Sequence, residues 1–337
     1  MDTLVGLVII AIGSFCQSSS YVPIRKVRKW SWESFWLVQG VFAWILFPFL
    51  GALLAVPNGS TLMSILSSTP TAALESAAYG VLWGIGGLTF GLSMRYLGIA
   101  LGQSIALGTC AGFGTLLPAL TSGTNLFEGK GLVLLISVAI TLAGIAVIGY
   151  AGSLRAKSMT EEQKKAAIKD FALTKGLAVA LLAGVMSACF NLGLDAGRPL
   201  TLEGVNPLFA TLPATLMVTL GGFVTNLIYC LWQNIRNRTF GDYCNLSLLA
   251  NNVFYCALAG GLWYSQFFGL GVGQSFFNQG SVIAAFAWCI LMALNVTFSN
   301  LWGVILHEWK GSSSKTIAIL AGGIIILIFS LVFPNLV

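Results

Sequence analysis

Charge is scarce in this sequence: Asp, Glu, Lys and Arg together make up 8% of its 337 residues. A soluble domain normally carries about 25%, so the chain lacks the polar surface needed to cover a globule in water. Histidine occurs once, at His307. The seven cysteines form no CxxC pair and sit mostly in apolar stretches, as small packing residues do. That pattern indicates neither a disulfide framework nor a metal site. No Walker loop, zinc-ligand spacing, catalytic triad or paired-acid arrangement occurs, so no cofactor is implied. No basic stretch is long or aromatic-rich enough to suggest nucleic acid.

Apolar sequence is what the chain has in excess: 57% hydrophobic residues and a mean hydropathy of +0.87. It falls into repeated runs of about twenty residues, the length that crosses a bilayer core. Ten helices are predicted: Leu4–Ile24, Ser34–Val56, Thr71–Met94, Leu97–Thr121, Gly131–Ala151, Gly176–Ala196, Pro207–Gln233, Leu248–Leu270, Ser281–Leu306 and Thr316–Phe333. Continuous apolar runs favour helices over a barrel, whose strands would alternate polar and apolar residues. The fold class expected is all-α and polytopic. The first run is read as a retained helix and not a cleaved signal peptide. Asp2 precedes it, the positive cluster follows it, and no small-residue cleavage pattern is evident.

The basic residues orient this map. Fifteen of the seventeen fall in the odd-numbered connections: Arg25, Lys26, Arg28 and Lys29; Arg95; Arg155, Lys157, Lys164, Lys165, Lys169 and Lys175; Arg236 and Arg238; Lys310 and Lys315. The even connections hold only Lys130 and Arg198. By the positive-inside rule the odd loops are cytoplasmic and both termini periplasmic. The net charge of +6 then belongs to flanks beside lipid headgroups. Trp30, Trp32, Trp36 and Trp309 fall at the expected membrane–water boundaries and read as belt anchors.

The longest charged connection holds Thr160-Glu161-Glu162-Gln163, a capping-box pattern that predicts a short cytoplasmic surface helix. Five spans precede this linker and five follow it. Tyr96–Ser104 (YLGIALGQS) matches Phe267–Ser275 (FFGLGVGQS) at a shift of 171 residues, and the same shift lays Gly13 on Gly184. An odd number of spans per half forces the second copy upside down. Residues 1–152 and 176–337 are therefore read as inverted five-helix repeats around a linker at 153–175, a transporter architecture with its ligand site near the midplane.

Four segments carry a family resemblance. They are RKVRKWSWE at Arg25–Glu33, WGIGGLTFGLSMRYLG at Trp83–Gly98, GLWYSQFF at Gly261–Phe268 and LHEWK at Leu306–Lys310. Together, in order and over essentially the whole length, they resemble the L-rhamnose–proton symporter family, a branch of the drug/metabolite transporter superfamily. The resemblance implies ten helices in two inverted repeats and proton-coupled uptake of a 6-deoxyhexose across the bacterial inner membrane. It also sets amides where this chain has Gly87 and Thr89, and it diverges after Gly273. If those amides touch sugar hydroxyls, the ligand here is a different deoxysugar or hexose.

A neutral sugar needs planar hydrogen-bonding side chains for its hydroxyls and aromatic faces for its C–H surfaces. Gln17 and Tyr21 on the first helix stand four apart on one face, as do Ser187 and Asn191 on the sixth. Trp263 and Gln266 on the eighth and Trp288 on the ninth complete the candidate substrate-binding set. Each has a competing role in pinning helix to helix. For proton coupling the candidates are Glu33, also placed to complement the dipole of the second helix, and Asp195, also placed to pair with Arg198. His307 is read as interfacial. Pro48, Pro118 and Pro213 are expected to kink their spans. Glycines four apart, such as Gly108 and Gly112, are expected to allow close packing. The partners expected are a sugar, protons and membrane lipid. Two other readings stay open: a metabolite or drug exporter of the same superfamily, and a membrane enzyme on lipid-linked sugars. The enzyme would need a cluster of acids or histidines facing a headgroup.

Overall fold

The computed structural model describes residues 2–97, 99–158 and 173–336, and every regular element among them is helical. Ten helices are long and apolar enough to cross a membrane. They are α1 (Asp2–Ile24), α2 (Trp32–Leu53), α3 (Pro70–Leu97), α4 (Ile99–Thr121), α5 (Gly129–Lys157), α6 (Leu173–Ala196), α7 (Leu212–Asn237), α8 (Leu246–Gln274), α9 (Val282–Ile305) and α10 (Ser314–Val332). All ten predicted spans are present. α5 runs on to Lys157, beyond the predicted Ala151, because Arg155 and Lys157 in its last turn suit the negative end of the helix dipole. Serine caps open α9 and α10: Ser281 accepts from the Ala284 N–H and Ser313 from the Thr316 N–H. The predicted surface helix at Thr160–Gln163 lies outside the described residues.

Two compact units are formed. One comprises Met1–Gly84 and Leu192–Phe276, the other Ile85–Asn191 and Phe277–Val337. Each draws helices from both halves of the sequence. The first holds α1, α2, α7 and α8 with the opening part of α3 and the end of α6. The second holds α4, α5, α9 and α10 with the remaining parts of α3 and α6. This division follows packing and is a different cut from the proposed duplication boundary.

In the first unit, glycines set the helix crossings. A Cβ on Gly13 of α1 would lie 2.5 Å from the Ser265 carbonyl oxygen of α8, and one on Gly273 would lie 2.7 Å from the Gly6 carbonyl oxygen. Only residues without side chains let two backbones run this close. α2 contains a π-helical stretch at Val41–Leu46, closed by the Phe47 N–H bonding to the Phe42 carbonyl. Pro48, which has no N–H to continue the α-helical ladder, follows at once, and the wider turn absorbs the interruption.

In the second unit, Gly144 of α5 and Gly323 of α10 admit Leu327 and Ile148 respectively, and Gly184 of α6 lies 2.6 Å, measured from its ideal Cβ, from the Ala106 carbonyl oxygen of α4. α9 is the most enclosed helix: Phe286, Ala287, Cys289, Ile290 and Leu291 are all fully buried. Trp309, expected as a belt anchor, is instead buried, with the Arg155 guanidinium 5.3 Å over its ring. Trp36 is likewise tied into the protein, donating from Nε1 to Asn226 Oδ1 at 2.9 Å.

Candidate functional site

The first unit gathers an aromatic group around Trp44. Its ring meets Trp36 at 5.5 Å, Trp263 at 5.9 Å and Trp83 at 6.0 Å, all edge-on. Trp263, still half-buried, is also 5.8 Å from Trp83 and 5.1 Å from Phe267. Within the same unit, six buried polar atoms have no hydrogen-bond partner: Ser14 Oγ, Ser20 Oγ, Gln39 Oε1, Trp44 Nε1, Thr211 Oγ1 and Tyr264 OH. Buried polar atoms are normally satisfied, because each unmet one costs about 1–3 kcal/mol. Six in one unit, one of them on the central indole of the aromatic group, suit a region that handles a polar ligand with C–H faces. Gly51 makes room for the Tyr264 hydroxyl, which a Cβ there would strike.

Of the predicted residues, six belong to this unit. Gln266 is buried and donates to the Trp263 carbonyl at 3.2 Å, so it supports the Trp263 turn of α8. Gln17 is half-buried and accepts from the Ser18 hydroxyl at 3.3 Å. Tyr21 is 56% exposed. Asp195 pairs with Arg198 at 2.7 Å, and the pair lies open, with the arginine 79% exposed. Glu33 is buried at the start of α2, and its Oε1 accepts from Asn237 Nδ2 and Thr239 Oγ1, each at 2.9 Å. Its partners there are neutral.

The other three belong to the second unit. Ser187 is half-buried and faces the bare backbone at Gly86, where a Cβ would come within 2.9 Å of its hydroxyl. Trp288 is buried, stacks on Phe190 at 5.8 Å and donates from Nε1 to the Cys110 carbonyl at 3.2 Å. Asn191 Nδ2 donates to the Gly114 carbonyl at 2.7 Å. Four residues on from Gly114 stands Pro118, which has no N–H to offer that carbonyl. Asn191 thus repairs a bond the proline removes, the kind of rescue a helix in lipid requires. Its Oδ1 keeps its acceptor capacity. Asn191 and Trp288 are brought together on adjacent turns of α4.

The sequence reading missed a polar cluster at the Glu33 end of the first unit. Asp242, between α7 and α8, accepts at Oδ2 from the Ser31 N–H and from the Ser31 hydroxyl, each at 2.8 Å, and so caps α2 from across the fold. Trp30 donates to the Asp242 carbonyl, and Tyr243 donates to Asn234, which reaches Thr239. Burial works against the Asp242 charge, but the hydrogen bonds from Ser31 and Ser34 outweigh it and hold the carboxyl below the usual Asp range. The Tyr243 phenol is pushed up, mainly by burial. A depressed folded-state pKa gives stability that is present above the unfolded value and lost as pH falls through the folded one. Asp242→Ala is expected to cost about 1–3 kcal/mol at neutral pH, the range for a buried donor left unmet. The deficit relative to wild type should shrink as melts are taken from pH 6 towards pH 3. A deficit that does not change with pH would rule the charge out.

The family model for L-rhamnose-proton symport protein (RhaT) matches residues 2–336. The chain belongs to that family. It is 32% identical over 338 residues to the L-rhamnose-proton symporter of Mannheimia succiniciproducens, covering 97% of this chain and 96% of the relative. It is 31% identical over 343 residues to those of Yersinia pestis and Yersinia pseudotuberculosis, with the same coverage. A ten-helix membrane protein of a symporter family is thus in hand, and the family's class is transport, not catalysis.

Proposed function

We propose that this protein is a secondary active transporter that imports a small neutral sugar, L-rhamnose or a related deoxyhexose, together with protons. The observation that carries this reading is the family match across residues 2–336. The indole wall and the unmet polar atoms of the first unit support a sugar over an apolar drug, since sugars pair C–H faces with many hydroxyls. The substrate-binding residues are Gln17, Tyr21, Ser187, Asn191, Trp263, Gln266 and Trp288, joined now by Trp44. Two inverted repeats rock about the site, and sugar and proton together favour the occluded state, because a ligand shifts an equilibrium only through differential affinity. The protein sits in the bacterial inner membrane among lipid, with both termini periplasmic.

Glu33 is the first choice for the coupling acid and Asp195 the second. A carboxylate held by neutral donors takes up a proton without breaking an ion pair, whereas Asp195 would have to leave Arg198. Two positions bear on which sugar is carried. A Cβ at Gly87 meets nothing within 4 Å, and the Thr89 hydroxyl is spent on the Ile85 and Gly86 carbonyls of its own helix. Where the resemblance sets amides, this chain therefore presents little to a hydroxyl, which favours a relative of L-rhamnose as a tighter ligand.

Purified protein in liposomes, given labelled L-rhamnose and related hexoses under an imposed pH gradient, tests the proposal. Accumulation that a protonophore abolishes is expected. Equilibration without concentration would make the protein a uniporter, and no uptake of any deoxyhexose would remove the substrate. Gln17→Ala is expected to weaken sugar binding about tenfold, the ~1.4 kcal/mol of one lost hydrogen bond. Asn191→Ala should do the same and also lower the melting temperature by baring the Gly114 carbonyl. Sugar binding unchanged in both variants would take both residues out of the site.

A further inference from the structure

The second unit carries a groove with no part in the reading above. It has a volume of about 780 Å³ and runs between α4 and α5 from Ser104 to Leu120, about 24 Å at 1.5 Å per residue. One leaflet of the hydrocarbon core is about 15 Å deep, half of roughly 30 Å, so the groove is long enough for one acyl chain. Its floor is the bare backbone at Gly108 and Gly112, and its walls include Phe113 and Leu120, each about half exposed. Tyr150, on the α5 wall, is about half exposed as well.

The two ends of the groove differ. One is wholly apolar, at Leu116, Leu117 and Leu120. The other holds Ser104, Tyr150 and Ser153, and one turn beyond Ser153 on the same face of α5 stands Lys157. Lys157 is exposed, while its neighbour Arg155 is committed to the Trp309 ring. An apolar trough that ends in a phenol hydroxyl and an exposed ammonium matches one class of membrane molecule: an anionic phospholipid. We propose that the groove binds such a lipid, with its chain over Gly108 and Gly112 and its phosphate at Tyr150 and Lys157, since the Ser153 hydroxyl is spent on the Gly149 carbonyl at 3.0 Å. On the orientation proposed above, this lipid belongs to the cytoplasmic leaflet.

Glycine is what keeps the trough open. A Cβ at Gly112 would come no nearer than 3.8 Å to Leu142, and one at Gly108 no nearer than 3.6 Å, so a larger side chain fills the groove without striking backbone. Native mass spectrometry of the purified full chain, titrated with phosphatidylglycerol and with phosphatidylcholine, reads the proposal directly. Wild type should retain one phosphatidylglycerol about fivefold better than phosphatidylcholine, and Lys157→Gln should erase that preference; fivefold is the ~1 kcal/mol that one lysine contributes near an anionic headgroup. Gly112→Leu should lower retention of both lipids. Equal retention of the two lipids by wild type would overturn the headgroup site. Should Gly112→Leu fail to fold, Lys157→Gln alone decides, since it changes only an exposed helix end. A wild-type dimer that Gly112→Leu converts to monomer would mean that a second copy covers the groove, and the lipid proposal falls.

Discussion

Glu33→Gln should leave a protein that exchanges sugar across the membrane but no longer concentrates it. For one proton per sugar, a gradient of one pH unit drives accumulation of roughly tenfold, since one unit is 1.36 kcal/mol. The variant should bring that ratio to about one while counterflow stays near wild type. Glutamine preserves the shape of the site: its amide oxygen can still accept from Asn237 and Thr239, as the Glu33 oxygen does at 2.9 Å. What it cannot do is change charge. The competing role makes a different prediction. If Glu33 serves only the dipole of α2, its loss costs about 0.3–1 kcal/mol of stability and accumulation survives. Asp195→Asn is the companion measurement. Its pair with Arg198 is exposed, and exposed pairs contribute about 0–1 kcal/mol, so stability should barely move. Normal uphill uptake by Glu33→Gln would exclude Glu33 as the coupling acid and pass the role to Asp195 if that variant fails.

Much of the fold was legible because a bilayer imposes a length on every crossing helix, and ten apolar runs of that length could be counted. The connections were harder. Asp242 gave no signal, because its partner Ser31 lies 211 residues away and nothing local marks a carboxylate that will cap a distant helix. Pro118 was visible as a kink, but which side chain would take the freed Gly114 carbonyl depended on how α6 crosses α4. Trp44 was hidden in an apolar run, where an indole looks like core. The internal match fared differently at its two copies: Gly102 and Ser104 lie inside α4, whereas Gly273 and Gln274 end α8. Gly13 and Gly184, laid together by the same shift, do share a job, since each brings its helix against a carbonyl of another.

That shared job leads to a large expected stability effect. Adding one methyl at Gly13 should destabilise the protein by about 1–3 kcal/mol, the range for overpacking a filled contact, even though alanine is the better helix former by about 1 kcal/mol. The obstacles are backbone atoms: the Ser265 oxygen at 2.5 Å, then Gln266 Cα and Gly269 Cα at 3.3 Å. None can swing aside as a side chain would, so α1 must lift off α8. Gly87→Ala is the matched control, because a Cβ there meets nothing within 4 Å and only the propensity gain remains. Detergent melts should therefore move in opposite directions for the two variants, and a Gly13→Ala protein as stable as Gly87→Ala would dismiss the tight crossing. The crossing also bears on transport. Gln17 is one turn from Gly13 on the same face of α1, and Trp263 and Gln266 flank the carbonyl that Gly13 meets. Lifting α1 should then weaken sugar binding along with the fold, whereas a loss of stability with binding intact would separate the helix contact from the proposed site.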